Sequence, residues 1–360
     1  MSIYALSQRA GETCDAAGKA MQDVFAVLAQ KGSKTIWSMP KSCSKYMKIL
    51  DLPYLACFLL FRAGKKDSIF FAIPENHVKI KLVKAIKKVK KYQIICFIND
   101  LNAFRYGNAD DPIVQEKMRG EAQVIGMADV VLMPNTNTRE LLEKNGVTSR
   151  LIPVGIWDYL MTEQEQKQLK TAQEQKKCAV QQDTSMQPAK IAFAGNLNKS
   201  EFLKSIPFSK DMGLEMHLWG KLEDKKKEEL PSVCEYHGVL KAAEVPAAVC
   251  TMDYGLVWDG TGKDEIEGGL GEYLKYNNSH KCGLYLASGI PAIVWKHSGM
   301  AAFIKEHECG IVIERLSELP GKIKQADYEQ LKKNALLVSN QLQQGHYLKR
   351  ALEQALGEKK

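Results

Sequence analysis

Residues 255–295, GLVWDGTGKDEIEGGLGEYLKYNNSHKCGLYLASGIPAIVW, set out chemistry-bearing side chains in a readable order. An apolar run, Gly255–Trp258, delivers Asp259 into a polar loop that passes Gly268, Gly269, Gly271 and Glu272 to reach Lys275. Asn277, Asn278 and Ser279 then precede a helix that starts near His280 and Lys281. Small polar residues at a helix start cap it and leave backbone N–H groups facing outward. Lys281 falls in the first turn, already the positive end of the helix dipole, so its charge is unfavourable there unless an anion is shared. A diphosphate fits that requirement, because N–H groups and a cation can grip it together. The competing reading is a surface lysine at a frayed end. Gly289 ends the helix as a C′ glycine, and Pro291 enforces the stop.

The elements that must hold such a loop alternate along the chain. Strand patterns occur at Ile3–Leu6, Lys34–Ser38, Ser68–Ile73, Tyr92–Ile98 and Val130–Met133. Helix patterns lie between them at 15–30 (Ala16, Ala20, Val24 and Leu28 on one face), at 112–127, and from Thr136 or Asn137 to Asn145. The stretch 161–189 is rich in Gln, Lys and Glu and reads as a linker or exposed insertion, with helix in part of it as an open alternative. Strands then resume at Lys190–Ala194, Met216–Trp219, Glu235–Val239, Tyr254–Trp258, Ala292–Trp295 and Gly310–Ile313, and 327–358 reads as helical. This alternation predicts two α/β domains with parallel sheets. The expected division is 1–157, a linker at 158–189, a second domain over 190–335, and a C-terminal helix at 336–360 that returns to the first domain. Ligands of such sheets bind at the carboxyl ends of strands.

Composition sets the outer limits. The 360 residues are 45% hydrophobic and 26% charged, with 50 Lys and Arg against 42 Asp and Glu. A net charge of +8 suits a phosphate-bearing partner or an anionic membrane. Nine cysteines, an odd number with no CxxC pair, argue against disulfides and structural zinc and for a reducing cytoplasm. The N-terminus lacks the basic and apolar regions of a signal peptide. LPYLACFLLF at 52–61, too short to span a bilayer, is expected in the core. No strand ends in a G-x-G-x-x-G fingerprint, which disfavours an NAD-dependent enzyme.

The segment GEYLKYNNSHKCGLYLASGIPAIVW resembles the donor-site region of bacterial nucleotide-sugar glycosyltransferases, above all β-1,6-galactofuranosyltransferases and the glucosyltransferase that extends GlcNAc on serine-rich adhesins. IAFAGNLNKSEFL at 191–203 and FINDLNAFR at 97–105 extend the resemblance, although Asn99 stands where the family usually has His. The resemblance implies an α/β, GT-B type fold: two Rossmann-like domains facing across a cleft, with C-terminal helices. It implies a hexosyltransferase using a UDP-sugar, galactofuranose foremost, with inversion and no metal or other cofactor. UDP-glucose or UDP-galactopyranose transfer, and a non-catalytic GT-B-like subunit, are the alternatives. Carried over by position, Lys281 pairs with the phosphates, and Asn278, Ser279, His280, Cys282, Gly283 and Leu284 form the helix-start cradle. Lys199 adds a second cation, Thr13 reaches the nucleotide from the first domain, and Glu272 holds sugar hydroxyls. Asp100 at a strand end is the candidate base, a helix cap or partner to Arg105 being the competing reading. Asp264 with Glu272 approximates a paired-acid spacing seen in some retaining transferases.

Seven lysines lie between 79 and 91, beside a stripe expected at Val78, Leu82, Ala85, Ile86 and Val89. They are either a solvated face or a peripheral attachment to the inner membrane face, where a lipid-linked glycan acceptor would sit. Nucleic acid is not an expected partner, because aromatics do not interleave this basic run. A homo-oligomer stays open.

Overall fold

Two six-stranded sheets organise the chain in the computed structural model, which describes residues 2–6, 16–36, 50–105, 107–180 and 187–357. All the strand pairings are parallel, the arrangement expected when helices connect consecutive strands. The first sheet contains β1 (Ile3–Leu6), β2 (Lys34–Ile36), β3 (Ser68–Ile73), β4 (Gln93–Ile98), β5 (Val130–Met133) and β6 (Arg150–Pro153), in the order β2-β1-β3-β4-β5-β6. Its helices are α1 (Ala16–Gln30), α2 (Asp51–Arg62), α3 (His77–Lys90), α4 (Pro112–Ile125) and α5 (Asn137–Lys144). The central strands β3 and β4 are near-continuous apolar runs because both faces are covered.

The second sheet contains β7 (Ala189–Ala194), β8 (Leu214–Trp219), β9 (Cys234–Tyr236), β10 (Tyr254–Val257), β11 (Ala292–Trp295) and β12 (Gly310–Ile313). Around it lie α6 (Glu163–Val180), α7 (Asp224–Glu228), α8 (Val245–Val249), α9 (Gly269–Tyr273), α10 (His280–Ala287), α11 (Ala301–His307), α12 (Leu319–Gln325) and α13 (Tyr328–Gln343), and α14 (His346–Leu356) closes the chain. The order β12-β11-β10-β7-β8-β9 is the dinucleotide-fold order, which reverses direction between its first and fourth strands, here β7 and β10.

The chain groups into two units. One holds β1–β6 together with α14; the other is Gly155–His346 with β7–β12. Lys31 pairs with Glu353 at 2.7 Å, and Gln93 Nε2 donates to the carbonyl of Ala355, tying α14 to the first unit. The stretch read as a linker contains α6, which belongs to the second unit and is fastened there by Lys176 to Asp253 at 2.8 Å. The helix expected over 327–358 is broken, because Gly345 takes φ +72° between α13 and α14.

Three further expectations change. Residues 52–61 form α2, which buries only Leu55 and Leu59 from that run and leaves Phe61 83% exposed. Ten apolar residues wound as a helix cannot all face one core. On α3 the buried stripe is Ile80, Val83 and Ile86, while Val78 and Val89 are exposed. Turning that face inward lets Lys79 reach Asp51 at 2.9 Å, Lys87 reach Asp129, Lys84 donate to the carbonyl of Met127 and Lys90 to that of Leu60. Finally, β9 stops at Tyr236, and β2 at Ile36 borders residues outside those described.

Lys332 on α13 gives a test of the second unit's packing. Burial, reinforced by the Lys176 charge, pushes its ammonium down to about 8. Between pH 8 and 10.5 the unfolded chain binds more protons than the folded one, so this site's contribution to stability rises with pH in that window and is least below it. Lys332→Met is expected to stabilise at pH 7 by about 1–2 kcal/mol. That is less than the about 3 kcal/mol of the full shift, because the half-buried side chain retains hydration. The gain, read by urea melts across pH 7–10.5, should vanish at the alkaline end.

Candidate active site

The reversal point of the second sheet is where the chemistry converges. β7 and β10 pair through Ile191 with Tyr254 and Ala192 with Gly255. Higher up, the N–H of Ala194 donates to the hydroxyl of Tyr285 at 2.9 Å. Tyr285, fully buried on α10, occupies the gap because Gly255 has no side chain: a Cβ there would stand 2.1 Å from the ring. Burial holds the Tyr285 phenol well above its ordinary pKa, so it remains a neutral hydroxyl. This inserted ring fixes α10, and hence Lys281, against the strand ends.

Lys281 is the second residue of α10, behind the N-cap Ser279 in extended backbone (φ −60°, ψ 125°). Its stem runs over the end of β7. The Nζ lies 5.1 Å from the centroid of the Phe193 ring, and Cε would be 3.1 Å from a Cβ at Gly195. Gly195 adopts φ +152° and its carbonyl abuts Gly220 at the end of β8, where a Cβ would lie 1.7 Å from the oxygen. Two glycines at adjacent strand ends therefore let the backbones close up and leave room for the lysine stem. The ammonium is 3.9 Å from Asp259 Oδ2, just beyond β10. A cation, a helix N-terminus and paired strand ends share one place.

The other expected residues distribute unevenly. Asn278 and Ser279 are buried beneath the helix start and His280 is half-buried. Cys282 and Leu284 face the interior, and Gly283 packs so that a Cβ would be 3.0 Å from the Trp157 carbonyl. The Cys282 N–H already donates to the Ser279 carbonyl at 2.9 Å, so these three supply packing beneath the helix start and leave ligand contact to the residues before them. Lys199 is exposed on a single 3-10 turn, Leu197–Lys199, in the loop that starts at Gly195. That loop is pinned by Lys226, which donates to the Asn198 carbonyl at 2.7 Å. Glu272 pairs with Lys275 at 3.4 Å. Asp264 accepts from the N–H and hydroxyl of Ser317 at 2.7 and 2.8 Å, so it fastens the loop instead of pairing with Glu272. Asp100 lies half-buried two residues past β4 in the first sheet. Thr13 lies outside the described residues.

Phe193, Gly195, Gly220 and Tyr285 were not singled out as site residues from the sequence. Glycine directly after a strand, in FAG and LWG, is the signal that could have found two of them.

The profile described as "Glucosyltransferase 3-like, N-terminal domain" matches residues 3–156, and "Glucosyltransferase 3-like, C-terminal domain" matches 191–355. The chain belongs to the glucosyltransferase 3-like family. It is a bacterial-type GT-B glycosyltransferase. It is 22% identical over 351 residues to the β-1,6-galactofuranosyltransferase WbbI of Escherichia coli K12, covering 96% of each chain. It is 25% identical to Glucosyltransferase 3 of Streptococcus gordonii, covering 75% of this chain and 73% of that one. Among solved structures, sucrose-phosphate synthase from Thermosynechococcus elongatus superposes with a TM-score of 0.58 at 11% identity, covering 99% and 97% of the two chains. Anabaena HepE in complex with UDP and glucose superposes at 0.54 and 10% identity, covering 99% and 98%. These structural neighbours establish the GT-B fold; the domain matches establish the family.

Proposed function

We propose that this glycosyltransferase moves a hexose, galactofuranose foremost, from UDP to a hydroxyl of a cell-surface glycan, with inversion and without metal. Correspondence with the galactofuranosyltransferase WbbI over 96% of each chain supports the donor sugar. The family description and the streptococcal relatives favour glucose as the second donor to test. The observation that carries the reading is Lys281 at the sheet's reversal point, on the first turn of α10. An inverting displacement expels UDP as the acceptor oxygen attacks from the opposite side, and the charge grows on the diphosphate. Lys281, the α10 N–H groups and Lys199 stabilise that charge. In the free enzyme Asp259 parks Lys281; on donor binding the ammonium exchanges carboxylate for phosphate. Asp100 takes the acceptor proton.

The deciding experiment is a UDP-release screen over UDP-galactofuranose, UDP-glucose and UDP-galactopyranose with a lipid-linked or synthetic glycan acceptor, with and without EDTA. Turnover surviving EDTA is expected. Turnover with a different nucleoside diphosphate, or none with any UDP-sugar, overturns the reading.

A peripheral site on an anionic cytoplasmic membrane face also belongs to this proposal. Lys81, Lys88 and Lys91 are exposed, as are the apolar side chains of Val89 and Phe61. Among the described residues no helix is long and apolar enough to cross a membrane. At about 1 kcal/mol per basic residue, Lys81, Lys88 and Lys91 together contribute about 3 kcal/mol on an anionic surface. Cosedimentation with phosphatidylglycerol vesicles, but not with phosphatidylcholine vesicles, is expected, and Phe61→Ser combined with Lys88→Gln should weaken it at least tenfold.

A further inference from the structure

One face of the β8–β9 pair carries a cluster that the transferase chemistry does not use. Met216 and Leu218 of β8 turn into the core, so Glu215, His217 and Trp219 alternate to the opposite face. β9 lies in register with His217 opposite Glu235, and Glu235 and His237 share that same face. His217 Nδ1 lies 2.8 Å from His237 Nε2, the separation of a single shared proton. The Glu235 carboxylate closes the triangle, with Oε2 3.7 Å from His217 Nδ1 and Oε1 3.8 Å from His237 Nε2. The three ligand atoms all lie within 4.8 Å of one another.

A second observation is independent of that triangle. His217 is 5% exposed, and its other nitrogen, Nε2, is buried with no hydrogen-bond partner. Glu215 Oε2 stands 3.7 Å away. A histidine that binds metal through Nδ1 carries its proton on Nε2 and donates it to a carboxylate, and Glu215 would have to approach by about 0.7 Å to receive it. Trp219 stacks on His237 at 4.7 Å and 19°, limiting how either ring can turn.

The geometry points to a divalent transition-metal site formed by His217 Nδ1, His237 Nε2 and Glu235, oriented by Glu215 and taking a borderline ion such as zinc. Two imidazoles and one carboxylate suit zinc, and an oxygen-seeking ion such as magnesium or calcium is a poor match. Metal–nitrogen bonds of about 2.1 Å in a tetrahedron place ligand atoms about 3.4 Å apart. The two rings now meet nearly coplanar, with centroids 5.1 Å apart and planes within 7°, so the metal would replace the shared proton, part the nitrogens by about 0.6 Å and require the exposed His237 ring to swing against Trp219 until both lone pairs converge. Solvent occupies the fourth position. The ion would staple the edge strand β9 to β8, separately from the residues around Lys281.

The test titrates EDTA-treated full-length protein with Zn²⁺ and, separately, Co²⁺. One ion per chain is expected, with the visible absorption of tetrahedral cobalt and no thiolate charge-transfer band. Zinc should raise the melting temperature, as any ligand of the folded state does. Glu235→Gln and His237→Ala, both at exposed positions, should weaken binding at least about tenfold, and Glu215→Gln about ten- to a hundredfold. Glu235→Gln carries the test should His237→Ala fold poorly. Failure of the wild type to bind, undiminished binding in Glu235→Gln, or a thiolate band marking binding at cysteine would overturn the proposal.

Discussion

Lys281→Met is expected to cut UDP release about 100- to 1000-fold while leaving the melting temperature nearly unchanged. The two halves of that expectation have separate causes. The Lys281–Asp259 pair is long at 3.9 Å and each side chain is 22% exposed, so its loss costs under about 1 kcal/mol of folding. Methionine keeps the stem volume over Phe193 and beside Gly195. In the reaction, removing one preorganised cation from a departing diphosphate raises the barrier by about 2.7–4 kcal/mol, which is two to three powers of ten. The kinetic form discriminates between roles. If Lys281 acts on the leaving group, kcat and kcat/KM fall together; if it only binds the ground-state donor, KM rises and kcat holds. Lys281→Arg should recover part of the rate, because the charge is kept but a broad planar guanidinium replaces the compact ammonium over Phe193. Unchanged turnover in Lys281→Met would remove the foundation of the proposed donor site.

Lys281 was readable in advance because its placement breaks a local rule, a cation at the positive end of a helix. β7, β10, β11 and the start of α10 were readable from apolar runs ended by glycine and proline. What could not be read were the facts that depend on two segments distant in sequence. Tyr285 looks like one more apolar position of α10, and only its meeting with Gly255 and Ala194 gives it a purpose. The stripe on α3 was misassigned for a similar reason. Both choices obey helical spacing, and the acidic partners Asp51 and Asp129, outside the helix, decide which face turns inward. The Glu235-x-His237 pair illustrates the same limit on an edge strand. Period-two spacing puts both side chains on one face, but His217 comes from another strand through a register that no local pattern specifies.

Gly255→Ala is expected to be the most damaging single methyl group in the second unit. The added carbon would sit 2.1 Å from Tyr285 Cγ and 2.3 Å from Cδ2, well inside any tolerable contact. The ring cannot retreat cheaply. Gly283 is already close-packed on the Trp157 carbonyl, and the far end of α10 is held by Ser339 and Gln343, which donate to the Ala287 carbonyl at 2.6 and 2.9 Å. Displacing the ring also strands the buried N–H of Ala194. Overpacking of about 1–3 kcal/mol and an unsatisfied buried donor of about 1–3 kcal/mol together predict a loss of about 2–6 kcal/mol. For a unit of this size that lowers the melting temperature by about 4–24 °C, measurable by calorimetry. The mechanism predicts a specific rescue. Adding Tyr285→Ala makes room for the methyl group, so the double variant should be less destabilised than the sum of the two single changes, with a coupling above about 1 kcal/mol. Simple additivity would mean that the ring and strand are not wedged as described. Because Ala194 leads directly into Gly195, the same displacement moves the strand end on which the Lys281 stem rests. Gly255→Ala should therefore lower UDP release even at temperatures where the protein stays folded, whereas destabilisation elsewhere in the second unit, such as at the Lys176–Asp253 pair, should leave turnover intact until melting.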